Sequence, residues 1–357
     1  MKAMIMAAGV GSRLMPLTTQ IPKPMIPMAN VPLMESIVTL LHTHGFDDLI
    51  CNLHYHAGNI SSYFGDGGRF GVKMQYSPED ELMGTAGGVK NCEWFLDDTF
   101  VVISGDALTD INLGALLEAH HQKGALATIA LKEVQQVEHF GVVITDDQWK
   151  IERFQEKPRA EEALSHLANT GIYVFEPEIF KYIPARQFYD FGKQVFPHLV
   201  KIGAPFYGRP VQAYWCDVGN ISTYCQAHAD ILQQRVKTAA SGKIINTAEG
   251  ARVLLGEGAV CGQNVRFEGS VVIGSGCRIG NNAYISNSII WNNTVINDKS
   301  IIKEAVVGFD CILGQGVKLN SGAVVAGGCT LQDEVEVPSR GKVFYTVGDE
   351  LHLEVSG

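Results

Sequence analysis

No carboxylate precedes Glu35 in this 357-residue chain, although its net charge is −10. The opening segment carries only Lys2, Arg13 and Lys23 as charged side chains, so an acidic protein keeps one stretch purely cationic. The eight cysteines include no C-x-x-C pair and no framework spacing, which excludes a zinc ribbon or a disulfide scaffold. There is no basic excess of the kind that nucleic-acid binders present. No apolar run reaches the length of a membrane span. Residues 1–8 are too short for a signal peptide, so the expected setting is cytoplasmic, reducing and away from membranes. Charged residues are only 18% against 46% hydrophobic, a globular balance with room for more than one core. Proline is missing between Pro210 and Pro338, and histidine between His228 and His352, so the last third obeys different rules from the rest.

What is present begins with Met6-Ala7-Ala8-Gly9-Val10-Gly11-Ser12-Arg13-Leu14, followed by Pro22-Lys23-Pro24-Met25. Residues 4–6 read as a short apolar strand running into a loop poor in side chains. Backbone N–H groups of Ala7, Ala8, Gly9, Gly11 and Ser12 can approach an anion there, and Arg13 and Lys23 can add charge-assisted bonds. A dinucleotide fingerprint is excluded because Leu14 stands where its third glycine belongs, and a kinase-type loop because no G-K-[ST] closes it. The pattern points to polyphosphate.

The run Gly9, Gly11, Ser12, Arg13, Leu14, Pro16, Leu17, Thr18, Pro22, Lys23, Pro24, Met25 resembles the signature of the sugar nucleotidyltransferases, or nucleotide-sugar pyrophosphorylases. Further segments agree with it. Phe100 to Asp106 places a carboxylate after an apolar strand, where a doubly wound sheet presents its ligands; Asp110 is a second candidate there, or a helix cap. Asp217 lies in Trp215-Cys216-Asp217-Val218-Gly219, and the resemblance implies that Asp106 and Asp217 together hold magnesium (Mg2+). It also implies that Gly84 and Thr85, in Leu82-Met83-Gly84-Thr85-Ala86-Gly87-Gly88, lie against the nucleobase. Gly141, Glu156, Lys157 and Asn169, in segments resembling F-G-V, E-K-P and N-T-G-[IV]-Y, would contact the sugar phosphate. The histidine pairs at 42/44, 54/56 and 120/121 read as core, cap or surface groups: His42 and His44 end a predicted helix on different faces, and the pair at 54/56 has no acids at ligand spacing.

Up to about residue 235, strand-like and helix-like segments alternate, which predicts a mostly parallel sheet covered by helices. A helix is expected over residues 30–44, capped by Asn30 and stopped at Gly45, and another over 113–123. From Leu255 the period becomes six: Leu255, Cys261, Phe267, Ile273, Ile279, Ile285 and Trp291 would point inward, with slips at Ile296 and Val307. Such a repeat predicts a parallel β-helix of about five coils. Its left-handedness is implied by the resemblance. The expected organisation is an α/β, Rossmann-like nucleotidyltransferase domain over 1–236, a linker over 237–254, a hexapeptide-repeat left-handed β-helix over 255–338 and a C-terminal cap over 339–357.

The resemblance implies Mg-dependent reaction of an NTP with a sugar 1-phosphate, giving NDP-sugar and pyrophosphate. Within the family the motifs look most like mannose-1-phosphate guanylyltransferases, with glucose-1-phosphate enzymes using UTP, dTTP or ATP as the alternative. A regulatory binding homologue is the alternative of a different class. The resemblance implies that acyl transfer on such a β-helix relies on a histidine base, which this repeat lacks; its flat faces and open coil ends suit a structural part that joins copies into a homo-oligomer.

Overall fold

The computed structural model describes residues 1–345 and 350–355, and divides into two compact units. The first comprises Met1–Val10 and Ser36–Asp217; the second comprises Gly11–Glu35 and Val218–Gly357. Among the described residues no helix is long and apolar enough to cross a membrane.

In the first unit the strand Lys2–Met6 pairs in parallel with Asp48–Leu53 on one side and Phe100–Ser104 on the other. Lys73–Pro78 extends this parallel half beyond Asp48–Leu53. All three inner strands are apolar along almost their whole length, as strands covered on both faces must be. Past Phe100–Ser104 the sheet continues with Leu167–Phe175 in the opposite direction, flanked by Ala127–Glu133 and Gly141–Thr145. The helix Leu113–Lys123 forms as expected, with the Asn112 side chain accepting from the Ala115 N–H and Gly124 closing it in a left-handed turn.

One part of the core fixes the loop that reaches the site. Phe175, Phe191, Phe196 and Phe206 stack in succession, with ring centroids 5.1, 5.3 and 5.1 Å apart. Each ring is fully buried, so the chain around Asp190 is anchored through its neighbour Phe191.

The second unit departs from the sequence reading at its start. Residues 30–44 are not one helix. Pro27–Met28 and Val31–Pro32 pair as a two-residue hairpin, and the helix begins at Leu33. Ala29 and Asn30 both take left-handed φ values, 51° and 67°, the geometry of the tight hairpin turn that Asn favours. Asn30 is therefore a turn residue, not a helix cap.

The β-helix has three parallel faces, two of them five-stranded, so five coils stack. Its interior holds Ile273, Ile279, Ile285, Ile290, Ile296, Ile302 and Val307 as successive large side chains, stacked in three rows: 273, 290 and 307 on one face, 279 and 296 on the second, 285 and 302 on the third. The slip in period thus falls one step earlier than the sequence suggests, between Ile285 and Ile290, and Trp291 points out of the prism. Register explains this: Val272, Ile289, Val306 and Val324 are successive partners, advancing 17, 17 and 18 residues. The shorter coils also place Ser288, Thr294 and Ser300 in the inward row of small residues, each fully buried and bonded to a backbone carbonyl. Cys277, Cys311 and Cys329 are buried as small hydrophobes, whereas Cys261, on the first coil, is exposed. The strand Leu351–Val355 pairs antiparallel with Gly341–Tyr345 on one face; residues 346–349 and 356–357 of the expected cap lie outside the described residues.

Candidate active site

Parallel pairing sets Met6 level with Asn52 and Ser104, so three strands end together and open a cavity of about 300 Å³. Ala8, Gly9, Gly84, Thr85 and Asp106 line it. Ala7 is tied in beside them: its N–H donates to Asn52 Oδ1 at 2.9 Å. The Asn52 amide in turn donates to Glu79 Oε1 at 2.7 Å, and Glu79 Oε2 accepts from the Met83 N–H at 3.1 Å. A buried amide and a buried carboxylate thereby join the phosphate-type loop to the start of the helix Gly84–Asn91. Neither Asn52 nor Glu79 emerges from sequence reasoning. The signal was a polar residue inside the apolar strand Asp48–Leu53, where an unpaired amide would be costly.

The glycines of Leu82-Met83-Gly84-Thr85-Ala86-Gly87-Gly88 serve packing. Gly84 has φ 73°, and a Cβ on it would sit 2.6 Å from the Tyr189 carbonyl oxygen. That carbonyl accepts from both Ala86 and Gly87 N–H groups. Thr85 donates its hydroxyl to Asp190 Oδ2 at 2.9 Å and accepts from the Phe191 N–H. Asp190 is a cavity-lining carboxylate with no sequence motif behind it.

Asp106 accepts from the Ser104 hydroxyl, and the Gly105 N–H bonds to the Met6 carbonyl, fixing the turn after the strand. The short strand Trp215–Asp217 pairs with Ala107–Thr109 in the register Asp217 to Ala107. Asp217 therefore lies opposite the residue that follows Asp106. Asp106 and Asp217 are the acids here that could hold magnesium, a hard ion that takes one or two carboxylates and completes its shell with phosphate oxygens and water. Asp110 has a different task, accepting from the Tyr214 N–H at 2.9 Å to hold these strands together. Among the described residues no cluster of three or more histidine, cysteine or acidic side chains has metal-binding spacing. His120 is buried between Thr128 and Glu176, in keeping with a core role.

Gly141 pairs with Glu156 across the antiparallel strands, and a Cβ there would strike the Phe154 ring at 2.5 Å. Burial pushes the Glu156 carboxyl pKa up, opposed by Lys157 and reinforced by Asp190. Lys157 is in a left-handed conformation, φ 48°, with its ammonium exposed and 4.0 Å from Glu156. Asn169 donates to Tyr173 Oη at 3.1 Å and accepts from the Gly171 N–H at 3.0 Å, which orients its amide. Gly192 was not expected: a Cβ there would lie 2.4 Å from Glu156 Oε2.

Gly11, Ser12, Arg13 and Lys23 belong to the second unit. Ser12 and Arg13 open an exposed single turn, whereas Lys23 is almost fully buried at the start of the turn Lys23–Met25, between two prolines. Gly11, at φ 72°, presses on Lys23 so closely that a Cβ would come within 2.7 Å of the lysine Cβ. Only glycine fits there.

The nucleotidyl transferase family profile matches residues 2–234, and that of the EIF2B subunit epsilon LbH domain matches residues 230–337. A UTP--glucose-1-phosphate uridylyltransferase of Synechocystis sp. is 45% identical over 78% of this chain and 75% of its own. A mannose-1-phosphate guanylyltransferase of Mycobacterium tuberculosis is 31% identical over 78% of this chain and 76% of its own. Among solved structures, a putative glucose-1-phosphate thymidylyltransferase from Bacillus anthracis aligns with TM-score 0.60 and 27% identity, covering 67% of this chain and 97% of that one. The chain belongs to the sugar nucleotidyltransferase family, with a nucleotidyl transferase domain followed by a hexapeptide-repeat left-handed β-helix.

Proposed function

We propose that the chain transfers the uridylyl group of UTP to glucose 1-phosphate, giving UDP-glucose and pyrophosphate. The observation that carries this choice of substrates is the 45% identity to the Synechocystis uridylyltransferase, against 31% for the mycobacterial guanylyltransferase. The motif pattern and the recurrence of guanylyltransferases among the relatives favour a second reading, GTP with mannose 1-phosphate.

A phosphate monoester is already largely ionised near neutral pH, so its oxygen attacks the α-phosphorus without a general base. The new O–Pα bond forms as the bond from Pα to the bridging oxygen of pyrophosphate breaks. What the protein contributes is alignment and charge neutralisation. In this reading the backbone of Ala8, Gly9, Gly11 and Ser12 receives the triphosphate, Ala7 holds the loop in place through the N–H it gives to Asn52, and Arg13 and Lys23 offset the charge of the departing pyrophosphate. Gly84 and Thr85 border the nucleobase. Gly141, Glu156, Lys157 and Asn169 hold the sugar phosphate in line. Asp106 and Asp217 would hold Mg2+, which when bound would act as a Lewis acid that offsets negative charge on phosphate oxygens. The β-helix joins copies into a homo-oligomer, which light scattering checks.

The test is pyrophosphate release by the purified protein with each NTP against a panel of sugar 1-phosphates. UTP with glucose 1-phosphate is expected to give the highest kcat/KM. A higher value for GTP with mannose 1-phosphate transfers the assignment to the second reading, and no turnover with any pair overturns both.

A further inference from the structure

Trp291 is fully buried, yet it lies outside the prism core. Its ring stacks on Phe309 of the next coil at 5.7 Å, and its indole N–H donates to Tyr224 Oη at 2.9 Å. Tyr224, in the helix Ile221–Leu232, donates its own hydroxyl to the Pro27 carbonyl at 2.5 Å. His228, one turn on, accepts from the Ala29 N–H at 3.2 Å and donates from its other nitrogen to the Tyr224 carbonyl at 3.0 Å. The Asn30 amide donates to the carbonyls of Ser241 and Ile273, the latter on the β-helix. The hairpin tip is thus gripped by the helix and the coils together.

Between that hairpin and Lys23 there is little freedom. Pro22 and Pro24 fix their own φ angles, the Ile26 N–H bonds the Lys23 carbonyl at 3.2 Å, and the Leu33 N–H bonds the Ile26 carbonyl at 3.0 Å. Every residue in this path lies in the second unit, which pairs residues 11–35 with the whole of 218–357.

We propose that Trp291 and Tyr224 are positioning residues for nucleotidyl transfer: the β-helix, through the Trp291–Tyr224–Pro27 relay, sets the placement of Lys23. This rests on the reading of Lys23 as a group that neutralises phosphate charge. The β-helix is then a working part of the catalytic unit as well as a means of assembly. A displaced lysine loses rate because charge stabilisation depends on fixed geometry, and a shift of about 1 Å costs up to about 10²-fold.

The experiment measures kcat and KM well below the unfolding temperature for Trp291→Phe, Tyr224→Phe, Lys23→Ala and the doubles Trp291→Phe/Lys23→Ala and Tyr224→Phe/Lys23→Ala. Tyr224→Phe keeps the ring and removes the hydroxyl that bonds both Trp291 and Pro27, whereas Trp291→Phe keeps an aromatic ring of smaller size and removes the indole N–H. Each is expected to lower kcat about tenfold with both KM values within about twofold of the parent. In the Lys23→Ala background the same substitutions are expected to change the residual rate by less than about twofold, because there is no lysine left to place. Parental kcat in both phenyl variants, with Lys23→Ala strongly impaired, overturns the relay and leaves the role of Lys23 standing. An undiminished tenfold loss in the Lys23→Ala background identifies general damage and also overturns it. Parental activity of Lys23→Ala itself removes the reading of Lys23, and this inference with it.

Discussion

At the residue scale, the two acids aligned by strand pairing offer a direct measurement. Asp106→Asn and Asp217→Asn keep the size of each side chain while removing its charge, so each is expected to raise the magnesium concentration needed for half-maximal rate by about tenfold or more. Since both would act on one ion, the double variant should lose less than the product of the two single losses. An unchanged magnesium titration in either single variant shows that the residue is not a ligand. The Ser104 hydroxyl bonds Asp106, whereas Asp110, only four residues on, accepts from the Tyr214 N–H as a backbone tie.

At the scale of single elements, the helix Gly84–Asn91 depends on the Asn52–Glu79 pair, and Gly88 is where they meet. A Cβ at Gly88 would lie 2.6 Å from Glu79 Oε1 and 2.7 Å from Asn52 Nδ2. Gly88→Ala is therefore expected to break that bond and to destabilise the fold by about 1–3 kcal/mol, the usual cost of leaving a buried polar group unsatisfied. The accompanying change should be a raised KM for the nucleotide, since the same pair holds the Ala7 N–H and the Met83 N–H. Thermal unfolding and nucleotide KM both within error of the parent would count against this account of the helix start. The hairpin at residues 27–32 shows how an element escapes a sequence reading: Asn30 followed by Pro32 fits a helix start and a tight turn equally well, and pairing of Met28 with Val31 decides between them.

For the molecule as a whole, the buried link around His228 predicts an acid limit to stability. Burial holds the imidazole pKa down to about 4 from an ordinary 6.5, against a smaller opposing effect of the Tyr224 carbonyl. Between those values the unfolded chain binds a proton that the folded chain refuses, so stability rises with pH through this window. It is complete above about 6.5 and lost as pH falls towards 4, a contribution of about 3 kcal/mol. Urea midpoints between pH 7 and 4.5 should fall in the parent and fall less steeply in His228→Gln, which has no group titrating there. An equal pH slope in the two proteins would refute the assignment to His228.

The sequence by itself determined the α/β-then-β-helix order, because a glycine loop after a strand and a six-residue apolar period are local signals. It also determined the candidate residues, since Arg13, Lys23, Asp106 and Asp217 sit in contiguous motifs. Tertiary structure decided what depends on distance in the chain. Asn52, Glu79, Asp190 and Gly192 gain their meaning only when separate strands and loops meet; of these only Asn52 leaves a local trace, as a polar residue in an apolar strand, and nothing local names its partner. The slip at Ile290 was decided by coil stacking: shortening a turn after Ser286 turns Trp291 outward, a change that a periodic reading places one step late. That outward tryptophan, and the grip on the Lys23 segment that it completes through Tyr224, follow from long-range hydrogen bonds between residues 27, 224 and 291, which sequence spacing cannot encode.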